Sequence, residues 1–206
     1  AHQYDLWMHS LHVVCNLPRR MENDMVYLAA LLHDIGKPAA YFRDGKFSDH
    51  PNVGAVLARV ALEKLKAPVK TIKLVEALTK YHMYDYDLCT KENKLRKFIV
   101  LHYDIFNELL LVKQADFSAC KDDFSTAPGV TRLKNLADKM RAEGAPFTLK
   151  ELAVRGNEIA PLLPSSRYVG ATLEALLLHC AVTPADNTKE RLLRLAPSFG
   201  IVGGKN

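Results

Sequence analysis

The chain has 206 residues, 49% hydrophobic and 25% charged, an ordinary globular composition long enough to bury a core. No apolar run approaches the roughly 20 residues that cross a bilayer, and no basic-then-apolar leader opens the sequence, so neither a membrane span nor secretion is indicated. The net charge of +5 leans only slightly toward an anionic partner, and Cys15, Cys89, Cys120 and Cys180 are too scattered for a thiolate metal site or a disulfide framework, which fits a reducing cytoplasm.

The apolar periodicity is helical nearly throughout, strand-like alternation is absent, and the expected fold class is all-α. In chain order, helices are expected at about 4–16, 23–34, 51–66, 69–83, 94–101, 104–122, 130–143, 150–154, 156–163, 169–181 and 188–195. Gly36 and Pro38 stop the second, Pro51 suits the first position after His50, and Pro68 separates the third from the fourth. A composition break at Glu143-Gly144-Ala145-Pro146 divides a helical body over 1–144 from a small C-terminal helical subdomain over 145–206. In that subdomain Thr148 with Glu151 fits a helix start, and Asn187 or Thr188 a cap for the last helix. The first residue is Ala rather than Met and a candidate ligand follows at His9, as expected of a piece cut from a longer protein.

Chemistry concentrates in four residues. In the second helix Val26, Ala29, Ala30 and His33 share one face, so His33 points inward beside small side chains. Asp34 follows it at the helix end, just before the turn at Gly36. Asp116 lies on an apolar face with Leu109, Val112 and Ala119, where a carboxylate is costly unless paired or metal-bound. His9 shares an inward face with Leu6 and Val13. Taken alone, His9 reads as a hydrogen-bonded core histidine and Asp116 as half of a buried ion pair. As an ordered set, His9, His33, Asp34 and Asp116 converge on one interior and match the ligands of a divalent ion. His50, before a helix, and His82, at a helix end, are candidates for a second ion or a phosphate contact. Lys37, just past the ligands, could neutralise a phosphate and joins Asp34 as a catalytic candidate. Imidazole and carboxylate without thiolate suit Mn, Mg, Ni, Co, Fe or Zn.

These residues carry a resemblance. Residues 4–120 resemble the HD superfamily of metal-dependent phosphohydrolases through Trp7-Met8-His9-Ser10-Leu11, Leu31-Leu32-His33-Asp34-Ile35-Gly36-Lys37-Pro38, His50-Pro51-Asn52-Val53-Gly54-Ala55, Lys80-Tyr81-His82 and Lys113-Gln114-Ala115-Asp116. The whole chain resembles the C-terminal part of bacterial CCA-adding tRNA nucleotidyltransferases that carry an HD domain. Phe147-Thr148-Leu149-Lys150-Glu151-Leu152 and Pro184-Ala185-Asp186-Asn187-Thr188 support this. Met83 stands after His82 where many relatives have an acidic residue, and the catalytic head with its Gly-Ser phosphate loop is not in these residues.

The resemblance implies an HD-type helical domain that hydrolyses a phosphate ester, on a nucleotide, a cyclic phosphate or an RNA end. It also implies a tail that meets tRNA, for which Arg155, Arg167, Arg191 and Arg194 are candidates. The competing expectation is a non-catalytic tRNA-binding body and tail whose metal site is structural.

Overall fold

The structure, a computed structural model, describes residues 5–21, 23–121 and 123–200. Among the described residues all regular structure is helical, as expected, and no helix is long and apolar enough to cross a membrane. The α-helices are α1 (Leu6–Cys15), α2 (Met25–Leu32), α3 (Lys37–Asp44), α4 (His50–Lys64), α5 (Val69–Tyr81), α6 (Glu92–Leu101), α7 (Phe106–Lys121), α8 (Pro128–Ala142), α9 (Gly156–Ile159), α10 (Val169–Val182) and α11 (Lys189–Gly200). They pack as two compact units, Ala1–Cys89 with Asp104–Thr131, and Thr90–Tyr103 with Arg132–Asn206. This division differs from the expected boundary at Gly144. It runs through α8, and it places α6 with the C-terminal helices because α6 packs on α10.

In the first unit α2 is the hub. Its sequence is apolar all round, as a helix covered on most sides must be, and it packs on α1, α5 and α7. Val26, Ala29 and Ala30 are buried, and the two alanines let neighbouring helices come close. Asp5 starts α1 by accepting the Met8 N–H at 2.8 Å. The chain leaving α2 turns at His33–Gly36 and lies against the first turn of α4. A β-carbon on Gly36 would sit 2.2 Å from the His50 carbonyl oxygen and 2.4 Å from the Gly54 nitrogen. Only glycine permits that approach, which sets Asp34 beside His50.

The second unit is built on α10, which packs against α6, α9 and α11 and buries Thr172, Leu176, Leu177, Cys180 and Ala181. Arg96 of α6 is buried here, and its guanidinium donates to Glu143 at 2.6 Å, to Glu92 at 2.9 Å and to the Ala181 carbonyl at 3.3 Å.

Three elements depart from the expectations. Gly36 and Pro38 do mark the end of α2, but Pro38 also occupies the first turn of a new helix, α3, which the periodicity did not announce. The expected helix at 150–154 is a single 3-10 turn, Leu149–Glu151. Glu151 closes that turn by accepting the Phe147 N–H at 2.6 Å and the Thr148 hydroxyl at 3.1 Å. The chain then extends, with Leu152 and Val154 buried and Ala153 exposed between them. Finally α11 does not stop at 195 but runs through Pro197 to Gly200, anchored by the fully buried Leu192 and Ala196. Thr188 caps it, its hydroxyl accepting the Arg191 N–H at 3.4 Å. Asn187 instead bridges two loops, accepting from the Ala153 N–H at 2.9 Å and donating to the Glu151 carbonyl at 3.0 Å.

Candidate metal centre

All six sequence-predicted histidine and aspartate candidates converge in the first unit, from five helices. His9 comes from within α1. His33 and Asp34 come from the end of α2, His50 from the first residue of α4, His82 from the end of α5 and Asp116 from α7. His9, His33, Asp34, His50 and His82 are each 5% exposed or less.

Three of the imidazoles are held by the same device. Nδ1 of His33 lies 2.7 Å from the Ala30 carbonyl, Nδ1 of His50 2.6 Å from Phe47 and Nδ1 of His82 2.7 Å from Thr79. A carbonyl only accepts, so Nδ1 carries the hydrogen in each ring. The neutral form of each ring therefore leaves Nε2 as a bare lone pair aimed at the centre.

Those nitrogens face one another. His9 Nε2 is 3.3 Å from His33 Nε2, and His50 Nε2 is 3.2 Å from His82 Nε2. Asp34 stands between the two pairs. Its Oδ2 lies 3.2 Å from His33 and 3.6 Å from His9, and its Oδ1 lies 3.1 Å from His50 and 3.6 Å from His82. Asp116 Oδ1 closes the first pair at 3.1 Å from His9 and 3.6 Å from His33. The Lys37 ammonium, at the start of α3, reaches Asp34 Oδ2 at 2.5 Å.

The electrostatics point the same way. Burial pushes the Asp34 carboxyl up, but the imidazoles of His33, His50 and His82 outweigh it and hold it well below the usual range. Asp116 behaves alike, with burial opposed by His33 and His9. Burial pulls His33 down, yet Asp116 and Asp34 raise it to about 10. Two carboxylates buried among four imidazoles favour a positive charge at the centre, which a divalent ion would supply. His9, His33 and Asp116 have donor atoms within 4.8 Å of one another, as do His33, Asp34 and His82. Donor chemistry, spacing and charge all fit a divalent metal. The Cys120 thiol, 3.5 Å from Asp116 Oδ1, is pushed up to about 12 by burial and by that carboxylate, so no thiolate enters the donor set.

A family model described as the HD domain matches residues 6–116, the segment that holds all six residues. The chain belongs to the HD domain family. It is 29% identical over 211 residues to the A-adding tRNA nucleotidyltransferase of Deinococcus radiodurans, a match covering 98% of this chain and 44% of that protein. It is 32% identical over 124 residues to the CC-adding tRNA nucleotidyltransferase of Thermus thermophilus, covering 56% of this chain and 28% of that one. The chain thus spans less than half the length of these relatives. No solved structure matches it significantly.

Beside the HD cluster lies a cavity of about 230 Å³ whose lining includes Tyr86, Leu88, Phe117 and Val130 together with His82, Asp116 and Lys113. Lys113 was not among the site residues expected from the sequence. It is buried one helical turn before Asp116, and its ammonium donates at 2.8 Å to the carbonyls of both His82 and Tyr84. Burial brings it down to about 8. The available signal was a lysine on the same apolar face as Asp116.

The four tail arginines are all exposed, in the second unit. Arg155 is taken up by the Leu152 and Val154 carbonyls at 2.5 and 3.2 Å. Arg167 lies on the Tyr168 ring, Arg191 pairs with Asp186 at 3.1 Å and Arg194 with Glu190 at 3.2 Å.

Proposed function

We propose that this chain is a divalent-metal-dependent phosphohydrolase acting on a phosphate ester of a nucleotide or an RNA end. The observation that carries the reading is the pair of facing imidazoles on each side of Asp34, their Nε2 atoms turned toward one another and buried. His9, His33, Asp34 and Asp116 would hold one ion, of Mn, Mg, Ni, Co, Fe or Zn. His50 and His82, with the other oxygen of Asp34, would take a second ion or the phosphate.

A bound ion polarises a phosphoryl oxygen and acidifies water toward neutrality. The protein's own groups do the rest. Lys37 places a positive charge beside Asp34, where an incoming phosphate would lie. The backbone carbonyls of Ala30, Phe47 and Thr79 keep three imidazoles oriented. In the net reaction water's oxygen bonds to phosphorus and the ester oxygen leaves as the alcohol with one of water's protons; a monoester then yields inorganic phosphate, and a cyclic phosphodiester opens to a phosphomonoester.

The test is metal analysis of the purified chain with a screen of phosphatase and cyclic-phosphodiesterase substrates across several divalent ions. Asp34→Ala should lose stoichiometric metal, its activity and the thermal stability that bound metal confers. Unchanged metal content in that variant would refute the assignment.

A second reading, a tRNA-binding body with a structural metal, is favoured by the names of the relatives and by the exposed Arg167, Arg191 and Arg194. It expects tRNA affinity that falls steeply with salt and no turnover of any ester. In both readings the protein works in the cytoplasm, consistent with four cysteines that form no disulfide.

A further inference from the structure

The outward side of α4 is apolar where a surface helix is usually charged. Its buried side is made of His50, Gly54, Ala55, Ala58 and Leu62, packed into the first unit. On the other side two ridges of four-residue spacing run along the helix, Asp49-Val53-Leu57 and Val56-Val60-Lys64. Val56 is 48% exposed, and Leu57 and Val60 are each 38% exposed. Single apolar side chains at a surface are ordinary, but here four lie side by side on one helix face. Valine is also a poor filler for an exposed helix position. Its branched β-carbon restricts the side chain, and no burial offsets that cost.

This face is complementary to itself. Turned end for end about a two-fold axis through its midpoint, it sets Val53 against Val60, Val56 against Leu57 and Asp49 against Lys64. Each apolar residue meets an apolar one and each charge meets its opposite, as an isologous contact requires. A parallel pair would instead place Asp49 on Asp49 and Lys64 on Lys64, and would align the two helix dipoles. On its own copy the Asp49 carboxylate accepts from Arg43 and Asn52, both at 2.8 Å, which holds it at the head of the helix. Lys64 is exposed and has no acidic partner among the described residues.

We propose that this face of α4 is the contact between two copies of the chain, packed as an antiparallel helix pair. The seam is short beside the roughly 20–30 residues a side of a stable interface, so the pair forms and parts with concentration.

The experiment uses the full chain. Sedimentation from micromolar to millimolar concentration should show monomer passing to dimer. Val56→Lys puts like charges beside the two-fold axis and should raise the dimer dissociation constant about tenfold or more, with the circular dichroism of the monomer unchanged. A zero-length carbodiimide, which joins a carboxyl to an amine as an amide, reads the geometry. Within one copy Asp49 and Lys64 stand about 22 Å apart at opposite ends of α4, so an amide between them has to bridge two copies. Mass spectrometry should find that link in the dimer and not in the monomer. A chain that stays monomeric at the highest concentration overturns the proposal and leaves the face to a different partner. A dimer that survives Val56→Lys, or that lacks the Asp49–Lys64 link, overturns it as well.

Discussion

Asp34 owes its position to a residue without a side chain. Because a β-carbon on Gly36 would press into the backbone of His50 and Gly54, Gly36→Ala must push α4 away from the turn. We expect it to cost about 2–3 kcal/mol of stability and to weaken ion binding on the His50 and His82 side. Denaturant melts and stepwise metal titration would measure both. Lys113→Met should act locally in a different way. It leaves the carbonyls of His82 and Tyr84 without their donor, a loss of about 1–3 kcal/mol, and frees His82 to drift. The ion held by His9, His33 and Asp116 should then be retained, while the second ion or phosphate on the His50 and His82 side binds more weakly. Loss of the ion at His9, His33 and Asp116 as well would contradict this. The candidate ligands were legible in the sequence because their order along the chain and their helical phase were visible there. Gly36 was read as a helix stop and as part of the matching stretch, but not as a close approach, since its real neighbours, His50 and Gly54, are tertiary. Lys113 was overlooked for the same reason: its partners are backbone carbonyls some 30 residues away in sequence, and carbonyls have no identity in a sequence.

At the scale of elements, helices with a long apolar period were legible, and short ones were not. The α3 helix spans only Lys37–Asp44 and has one buried residue, Ala40, so it leaves little periodic trace. Pro197 lies inside α11, which runs past the expected end at 195. Its missing N–H ends most helices, but burial of Leu192 and Ala196 on one face of α11 overrides the local preference. The α6–α8 pairing yields a prediction about acid. The Arg96 guanidinium holds Glu143 below its ordinary 4.5, and Lys139 with Arg96 does the same for Glu92. Carboxyls lowered in the folded state stabilise it fully above their ordinary value, and that stability is lost as pH falls through the lowered one. Acid should therefore loosen the second unit below about pH 4.5. Glu143→Gln should flatten that limb while lowering stability at neutral pH, as followed by hydrogen exchange in α6 and α10.

For the whole molecule, the chain crosses between its two units three times, after Cys89, Tyr103 and Thr131. Neither unit is one continuous stretch. The sequence break at Gly144 is a real turn but not a seam of packing, and a boundary of that sort cannot be found from composition. Cutting after Gly144 removes α10 from beneath α6 and uncovers what they bury together. The truncated chain should melt at lower temperature and associate, while every candidate ligand remains present in the first unit. Its metal content per folded molecule should stay near that of the full chain. In the tRNA-binding reading its affinity for tRNA should fall, most visibly at low salt. Intact tRNA affinity with loss of metal would reverse this division of labour.

The imidazole tethers have a consequence for how such a protein can drift. Their acceptors are the carbonyls of residues 30, 47 and 79, which every amino acid supplies. Substitution at those positions changes bulk and polarity but cannot delete the tether. The orientation of three ring nitrogens is thus written in main chain, and only the histidines themselves and the local backbone path are held fixed. Ancestry can therefore scramble the surroundings of this centre widely before its aim is lost.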